Sequence, residues 1–419
     1  MSPSLDKWPL SLLPAQATAF LRYGAAPALP PGSRLRSGSD PVAELRRLAR
    51  EDLDQVGPPS PPARLGASLL WPPLILARAL SNVRKHGAAV ERTAGVSRPR
   101  QLLDLLRLAW ELDLAPNTYY DFRLFEPEKR GRVDRFFQHH ELRALLRRLN
   151  AGVDWSWLDD KRTFNAHCRA HDLPVPPILA VCSAGELVWV APEERLPRVD
   201  LILKPYRLFG GQGLERWVYQ ADRAVWTRKG EARVEAEFLA RARERGVTQP
   251  LLIQERIHPH PSLVPFSAEG TLCTARVVTW RDPEGQSGWL EAFLRMPSRA
   301  GMEVDNWAQG GIGAVIDLEQ GVLGPLYRGP ERLAVHPLTG VPVEGHPVPF
   351  CEQLLPLCQR AHATVPEGFW FVGWDVGFGR DGLVLIEANT IWGCPEWPPL
   401  GETAFPRLAL EKLRARRAH

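Results

Sequence analysis

Three oxygen-bearing side chains are brought together by the last hairpin pattern of the sequence. The stretch "GLVLIEAN" (382–389) is an apolar strand that ends in Glu387 and Asn389, two residues apart and therefore on one face. A turn at "GRDG" folds "VGWDVGF" back and places Asp375 roughly opposite Glu387. Opposed carboxylates repel each other, and a hard cation such as Mg²⁺ would bind them. The alternative is that these side chains are solvated at the mouth of a sheet or bound to arginine.

A glycine-rich loop follows a strand that ends in a lysine, within "LILKPYRLFGGQGLERW". At a strand end, the ammonium of Lys204 can project over whatever the loop holds. Gly210, Gly211 and Gly213, with Gln212 between the last two, let backbone N–H groups approach phosphate oxygens without interference from a Cβ. The spacing matches neither the P-loop nor the dinucleotide-binding turn, and a plain turn between strands is the alternative.

A second lysine lies near the start of a predicted helix. The helix begins around Asp159 and Asp160, carries Lys161 in its first turn and ends before "LPVPP". A lysine there is unfavourable to the helix dipole and is usually a surface residue. The chain carries its positive charge mostly as arginine, however, and the use of lysine at 161 and 204 favours compact charges against phosphate.

The stretch "PLLIQERIHPH" predicts an apolar strand with polar groups at its end. Gln254 and Glu255 end the strand, and Ile257 follows. Such a strand end suits recognition of a purine edge, because backbone groups can pair with the base while Ile257 packs on it. His258 and His260 are flanked by prolines and have no third ligand nearby, so this segment is interpreted as a loop.

In this order and spacing, the four motifs resemble the ATP-grasp superfamily over about residues 155–395. In that family one lysine precedes "LPVP", a second ends a strand before a glycine-rich loop, a strand-end Gln/Glu forms the adenine hinge, and a hairpin supplies Asp…Glu-x-Asn for magnesium. A narrower branch, the sugar-transfer-associated ATP-grasp proteins, is resembled by "LAPNTYYDFRLFEPEKR", "TARVVTW", "LRMPSRAGMEVDNWAQGGIGAVIDLEQG" and "VGWDVGFGRDGLVLIEANTIWG".

The resemblance implies an ATP- and Mg²⁺-dependent ligase that joins a carboxylate to an amine or thiol through an acyl phosphate and releases ADP and phosphate. Lys161 and Lys204 would contact the α- and β-phosphates, and the glycine loop would close over the β- and γ-phosphates. Asp375, Glu387 and Asn389 would hold one or two Mg²⁺ ions. The alternatives are a phosphotransferase on the same fold and a nucleotide-binding scaffold without turnover.

Two arginines are candidates for the transferred phosphoryl group. Arg276 and Arg295 lie on neighbouring predicted strands with parity suited to one face, and an arginine fork suits a doubly charged target. The alternative for each is a structural pair with a nearby acid. The stretch "DNWAQGG" resembles the family's loop beside the transferred phosphate, which adds Asn306, Gly310 and Gly311.

Two features depart from the family pattern or stay open. The family often has an acidic ribose-binding residue beyond the hinge, but "HPHPSLVPFSAEG" offers none, which leaves Ser262 or a backbone group as substitutes. Trp392 and Trp397 follow the proposed magnesium ligands and are candidates for an acceptor wall. A packing role is the alternative, since the chain has 15 tryptophans.

These residues need a scaffold of the α+β class. Residues 1–150 show apolar residues at helical spacing and predict a mainly helical module. Residues 151–250 predict the lid subdomain with the glycine-rich loop, and 251–419 the C-terminal subdomain with the hinge and the magnesium site. The predicted architecture is an ATP-grasp fold, in which two α+β subdomains grip ATP, preceded by the helical module. The strands are expected to be largely antiparallel.

Composition restricts the class of protein. The 419 residues are 44% hydrophobic and 24% charged, as in ordinary globular proteins, and a formal charge of +4 gives no reason to expect a nucleic-acid partner. The six cysteines are scattered, and neither a signal peptide nor a membrane span is predicted. We expect a cytoplasmic enzyme whose partners are a small-molecule or peptide carboxylate and a nucleophile; a homodimer is left open.

Overall fold

The structure is a computed structural model that describes residue 33 and residues 40–54, 61–207, 211–393 and 399–417. In chain order, the α-helices are α1 Pro41–Asp54, α2 Pro61–Ala94, α3 Arg98–Leu112, α4 Pro116–Asp121, α5 Pro127–Arg130, α6 His139–Leu149, α7 Ser156–Asp159, α8 Lys161–Ala170, α9 Glu235–Thr248, α10 Cys351–Thr364 and α11 Phe405–Arg417.

The strands are β1 Ile178–Ser183, β2 Glu186–Trp189, β3 Leu201–Pro205, β4 Glu215–Gln220, β5 Val225–Arg228, β6 Glu231–Arg233, β7 Leu251–Glu255, β8 Thr274–Arg281, β9 Ser287–Met296, β10 Ile312–Asp317, β11 Val322–Arg328, β12 Glu331–Leu333, β13 Phe371–Gly379 and β14 Gly382–Asn389. They form two sheets, of order β2-β1-β7-β3-β4-β5-β6 and β12-β11-β10-β9-β8-β13-β14.

Among the described residues up to Ala151, all regular structure is helical, as the sequence predicted. Asp40 caps α1, because its carboxylate accepts hydrogen bonds from the backbone N–H groups of Val42 and Ala43 at 2.9 and 3.1 Å. Val42, Leu45 and Ala49 then bury one face of the helix.

The chain divides into two compact units. One comprises the described residues up to Ala151, Gly329–Arg332 and the stretch from Ile391; the other comprises Gly152–Arg328 and Leu333–Thr390. The sequence-based division kept 251–419 together, whereas the structure places residues from Ile391 onward in the first unit. The reason is that α11 packs against α1 and α6.

The first sheet and α9 enclose a hydrophobic core. Trp217 of β4 and Phe238 of α9 pack edge to face, with ring centroids 5.4 Å apart. The amphipathic pattern of "KGEARVEAEFLARARERG" (229–246) predicts a helix that ends on Gly246. In the structure, the stretch before Glu235 instead forms the turn to β6 and β6 itself. The helix also continues past Gly246, whose role is close packing: a Cβ there would lie 3.0 Å from the Cβ of Cys182.

The second sheet contains the hairpin that the sequence predicted, β13 and β14. Every residue of β13 is buried, and the strand pairs with β8 on one side and β14 on the other. Asp375 is the register partner of both Arg276 and Glu387. A β-bulge at Ile386 produces this register, because Val376 pairs with Leu385 while Asp375 pairs with Glu387.

The architecture confirms the α+β class and the antiparallel pairing of the strands. Within the part of the chain that the structure describes, no helix is both long and apolar enough to cross a membrane.

Candidate active site

Asp375 is the centre of a charged cluster on the second sheet. Its Oδ1 lies 2.5 Å from Nε of Arg276, and its Oδ2 lies 3.0 Å from Nη2 of Arg295. The two arginines reach it from β8 and β9, so the predicted common face is observed. Both arginines also pair with a nearby acid, which was the alternative interpretation for each of them. The acid is the same carboxylate that the sequence proposed as a metal ligand.

The charges of this cluster stabilise one another. Burial alone would raise the pKa of Asp375, but Arg276 and Arg295 outweigh burial and hold that pKa well below its usual range. Burial likewise acts to lower the pKa of Arg295, and attraction to Asp375 and Asp305 raises it instead. Asp375 and Arg295 are therefore both charged at neutral pH.

Glu387 lies across the strand pair from Asp375 and is held by a lysine. Nζ of Lys161 lies 3.5 Å from Oε2 of Glu387. Burial, followed by repulsion from Asp375, raises the pKa of Glu387. The two carboxyl groups face each other, and their repulsion opposes ionisation of Glu387. A positive charge placed between them would reduce that repulsion.

Asn389 completes the predicted set of oxygen donors. Its Nδ2 donates to the carbonyl of Gly373 at 3.4 Å, which leaves the amide oxygen as the acceptor that can serve as a ligand. The donor set of two carboxylates and one amide fits Mg²⁺, which prefers oxygen ligands and completes its shell with water and phosphate. Among the described residues, no group of three or more His, Cys, Asp and Glu side chains is arranged to hold a metal ion.

Both predicted lysines reach this region. Lys161 is the first residue of α8, which Asp160 caps by accepting a hydrogen bond from the backbone N–H of Arg162 at 3.0 Å. Lys204 is the fourth residue of β3. Burial, together with the nearby charge of Lys161, lowers the pKa of Lys204 to about 7, against the pull of Glu387. An anion placed beside Lys204 would restore its charge.

One cleft holds most of the predicted residues. Apolar side chains of Pro176, Ile202, Leu272 and Ile386 line part of it. The predicted residues that also line it are Lys161, Lys204, Gly211, Gln212, Gln254, Glu255, Ile257, Arg295, Asn306, Asp375 and Glu387.

The predicted residues that do not line this cleft are Gly213, Arg276, Gly310, Gly311 and Asn389. Arg276 pairs with Asp375, which lines the cleft, and Asn389 ends β14, the strand that carries the lining residue Glu387. Gly210 and Trp397 lie outside the described residues.

Gly211 has a structural requirement for glycine. Its φ is +70°, in the left-handed region, and a Cβ would lie 2.6 Å from Cγ1 of Val304. The backbone of the glycine loop can therefore lie against Val304 only without a side chain at 211.

The hinge strand β7 is central in the first sheet, between β1 and β3. Gln254 is buried, and its Nε2 donates to the carbonyl of Pro176 at 3.4 Å. Beyond the hinge, the ring of His260 contacts the hydroxyl of Ser262 at 2.8 Å. Neither His260 nor Ser262 lines the cleft.

Trp392 was a candidate for an acceptor wall. In the first unit it is buried, and its ring packs edge to face on Phe405, with centroids 5.9 Å apart. The packing role is therefore the one that its surroundings support.

Asp305 and Thr274 are cleft residues that the sequence reasoning missed. Oδ2 of Asp305 accepts hydrogen bonds from the backbone N–H and the hydroxyl of Thr274, at 2.7 and 2.6 Å. Asp305 directly precedes Asn306, and Thr274 is the first residue of "TARVVTW". Both residues therefore lie within motifs that the sequence analysis quotes. An aspartate and a threonine are common residue types, however, and nothing in the sequence marks these two as site residues.

Glu303 was also missed, and it connects the segment before Asp305 to the first sheet. Its carboxylate lies 3.0 Å from Nη2 of Arg228 and 3.6 Å from Nζ of Lys229. It also accepts a hydrogen bond from the backbone N–H of Arg216 at 3.4 Å. Glu303 lies inside the quoted stretch "LRMPSRAGMEVDNWAQGGIGAVIDLEQG", but nothing in that pattern distinguishes this glutamate from its neighbours.

Comparisons with solved structures give distant likenesses. D-alanyl-alanine synthetase A from Vibrio cholerae O1 biovar eltor str. N16961 is 13% identical, over 62% of this chain and 66% of that one, with a TM-score of 0.34. N5-carboxyaminoimidazole synthetase from Staphylococcus aureus is 8% identical, over 56% and 44%, with a TM-score of 0.31. L-amino acid ligase from Bacillus licheniformis is 10% identical, over 56% and 40%, with a TM-score of 0.31. The chain thus spans less than two thirds of each.

No curated protein matches the chain. The profile described as "Sugar-transfer associated ATP-grasp" matches residues 141–408, which is more than half of the sequence. That range contains the lysines, the hinge and the Asp375 hairpin, and it confirms the resemblance that those motifs carried. The chain belongs to the sugar-transfer associated ATP-grasp family.

Proposed function

We propose that the protein is an ATP- and Mg²⁺-dependent ligase that joins a carboxylate to an amine or a thiol through an acyl phosphate. The observation that carries the proposal is one cleft, lined by Lys161 and Lys204, by residues at the end of β7 and by the Arg295–Asp375–Glu387 cluster. Apolar residues at one part of the cleft and concentrated charge at another suit a nucleotide, which has a flat base and a charged triphosphate.

ATP would lie with its base at the hinge and its phosphates toward the lysines. Glu255 and Ile257 line the cleft at and just beyond the end of β7, where backbone groups would pair with the purine edge and Ile257 would pack on the base. Lys161 and Lys204 would contact the α- and β-phosphates, and Gly211 lets the backbone of the loop approach the β- and γ-phosphates. Binding would restore the charge that burial removes from Lys204.

Asp375, Glu387 and Asn389 would hold one or two Mg²⁺ ions. When bound, Mg²⁺ supplies positive charge to the oxygens of the transferring phosphoryl group. Arg276 and Arg295 hold Asp375 in its charged form, so that the carboxylate is available as a ligand without first losing a proton. Arg295, which lines the cleft, would donate toward the place where charge develops in phosphoryl transfer, and we assign Arg276 to the same charge from its position beside Asp375.

The reaction has two steps. A carboxylate oxygen of the acceptor attacks the γ-phosphorus of ATP, and the bond from that phosphorus to the β,γ-bridging oxygen breaks, which gives an acyl phosphate and ADP. An amine or thiol then attacks the acyl carbon, and phosphate leaves as the nucleophile loses its proton. Arg276, Arg295, Lys204 and Asn306 are the residues that we assign to stabilising the first of these steps.

The acceptor is proposed to be a small metabolite, a peptide or a glycoconjugate precursor, and the reaction to take place in the cytoplasm. A reducing compartment is supported by the cysteines: Cys168, Cys182, Cys273, Cys351 and Cys358 are all free thiols.

Incubation with MgATP, pooled carboxylates and hydroxylamine, with and without amines, tests the proposal. Formation of ADP together with a hydroxamate supports an acyl-phosphate ligase. Formation of AMP and pyrophosphate contradicts the mechanism. ADP with a stable phosphorylated product would indicate a phosphotransferase, and failure to turn over ATP with any pool would indicate a nucleotide-binding scaffold.

A further inference from the structure

A chain of hydrogen bonds joins the loop at Asp305 to the charged cluster around Asp375. Nε and Nη2 of Arg295 both donate to the hydroxyl oxygen of Thr274, at 3.1 and 2.7 Å. That hydroxyl donates to Oδ2 of Asp305 at 2.6 Å. Nη2 of Arg295 also lies 3.0 Å from Oδ2 of Asp375.

The hydroxyl of Thr274 uses its full hydrogen-bonding capacity in this chain. A threonine hydroxyl has one hydrogen to donate and two lone pairs to accept with. Asp305 takes the hydrogen, which directs both lone pairs toward the two guanidinium nitrogens of Arg295. The carboxylate of Asp305 thereby fixes the rotation of the hydroxyl, and the hydroxyl fixes the plane of the guanidinium.

Asp305 is itself held in place by its backbone. The N–H of Gly311 donates to the carbonyl of Asn306 at 3.0 Å, and a Cβ at Gly311 would lie 2.2 Å from the carbonyl oxygen of Asp305. The turn therefore closes tightly on Asp305. Its Oδ2 receives a second hydrogen bond, from the backbone N–H of Thr274 at 2.7 Å, which ties the loop to the first residue of β8.

We propose that Asp305 and Thr274 are positioning residues that orient Arg295 for contact with the γ-phosphate, and that Asp305 is not a ligand of the metal. This inference rests on the proposed function, because it assumes that ATP binds in the cleft. Without the hydroxyl of Thr274, only Asp375 orients the guanidinium, and a planar fork held at one edge is free to tilt.

The contrast between two nucleotides gives a readout that a general structural role would not change. ADP lacks the γ-phosphate, so the orientation of Arg295 contributes to binding of a non-hydrolysable ATP analogue and not to binding of ADP. Thr274→Val removes the hydroxyl at nearly constant volume, and Thr274→Ser keeps the hydroxyl as the matched control. Asp305→Ala removes the acceptor and leaves Thr274 intact.

The experiment is titration calorimetry of the full chain with MgADP and with the magnesium complex of adenylyl imidodiphosphate. For Thr274→Val we expect the preference for the triphosphate analogue to fall about tenfold, with ADP affinity nearly unchanged, as for loss of one oriented charged hydrogen bond. In Asp305→Ala the preference for the triphosphate analogue should also fall, while Thr274→Ser should keep the wild-type preference. The Mg²⁺ concentration for half-maximal binding of the analogue should stay unchanged in Asp305→Ala.

Several outcomes would overturn the inference. The first two are a wild-type protein that binds both nucleotides equally and a Thr274→Val variant that keeps the wild-type preference for the triphosphate analogue. The other two are a Thr274→Ser variant that loses as much of this preference as Thr274→Val, and a large rise in the Mg²⁺ concentration that Asp305→Ala needs for analogue binding. If the wild type binds neither nucleotide, the proposed function itself fails, which is a distinguishable result. A thermal melt of each variant identifies loss of folding, and either Thr274→Val or Asp305→Ala alone suffices for the test.

Discussion

Asp375 and Glu387 face each other across β13 and β14, yet their pKa values are shifted in opposite directions: two arginines lower the pKa of Asp375, whereas burial and the charge of Asp375 raise the pKa of Glu387. A cation that joins the pair would offset the repulsion between the two carboxyl groups and would lower the pKa of Glu387.

Glu387→Gln should raise the Mg²⁺ requirement for ATP turnover by at least about tenfold, because the amide keeps the size of the side chain and removes the charge that a cation would balance. The measurement is ATP turnover as a function of free Mg²⁺ at saturating ATP. Glu352→Gln, an exposed change at the start of α10, is the control and should leave the curve unchanged. An unaltered Mg²⁺ requirement in Glu387→Gln would exclude Glu387 from the metal site.

Lys204→Ala should weaken binding of the MgATP analogue by about 10- to 100-fold, the loss expected for a charge-assisted contact with phosphate. The exposed Lys85→Ala in α2 controls for the change in net charge. Calorimetry gives the two affinities, and circular dichroism confirms that Lys204→Ala keeps its fold. Equal affinities for Lys204→Ala and the wild type would remove Lys204 from the nucleotide site.

Gly211→Ala should weaken nucleotide binding through two effects, the strain of a positive φ and a clash between the new Cβ and Val304. Both Gly211 and Gly230 have positive φ, but a Cβ at Gly230 meets nothing within 4 Å, whereas one at Gly211 lies 2.6 Å from Val304. Gly230→Ala therefore reports the conformational strain alone, about 1–3 kcal/mol. Val304→Ala should restore part of the affinity that Gly211→Ala loses, as calorimetry on the double variant would reveal. No recovery would mean that contact with Val304 is not the cause.

Glu215→Gln should lower the free energy of unfolding at pH 7 by about 1–3 kcal/mol, because the buried carboxylate is held by Arg241 and Arg245 at 2.7 and 2.9 Å and by the indole N–H of Trp217 at 3.0 Å. Burial opposes ionisation of Glu215, but these donors outweigh burial and lower its pKa. The contribution is present above the unfolded pKa, about 4.3, and is lost as pH falls through the lowered folded pKa.

Urea unfolding at pH 7, 5 and 4 tests this dependence. The difference between wild type and Glu215→Gln should be largest at pH 7 and should shrink as the medium becomes more acidic. The exposed Glu244→Gln in α9 should follow the wild type throughout. A difference that grows on acidification would have the wrong sign and would contradict the assignment.

The sequence was sufficient to predict the main elements of the site, because each of its motifs ends a strand or begins a helix. Lys161 at the start of α8 and the hairpin of β13 and β14 depend on local patterns that the chain displays openly. The register of Asp375 was predicted only roughly. An unbulged count from the turn pairs Asp375 with Ile386, and the bulge that moves it to Glu387 depends on packing that no local pattern encodes.

Other features depend on contacts between distant segments, which the sequence does not reveal. Gly246 was predicted to end a helix because glycine commonly does so, but its closeness to Cys182 is a tertiary requirement. Asp305 and Thr274 are 31 residues apart and pair only once the sheet has formed. The arginine pairing at Asp375 was foreseen only as an alternative, because parity predicts a common face and not a partner.

The complete burial of β13 has a consequence for motion in the enzyme. A strand with partners on both edges exposes its backbone amides only when both pairings open together. The amide hydrogens of β13 should therefore be among the slowest in the second unit to exchange with solvent. Asp375 thus lies on a strand that resists local opening. Variants with new acceptor preferences should therefore have their substitutions outside β13, in segments such as those that carry Gly211 and Val304.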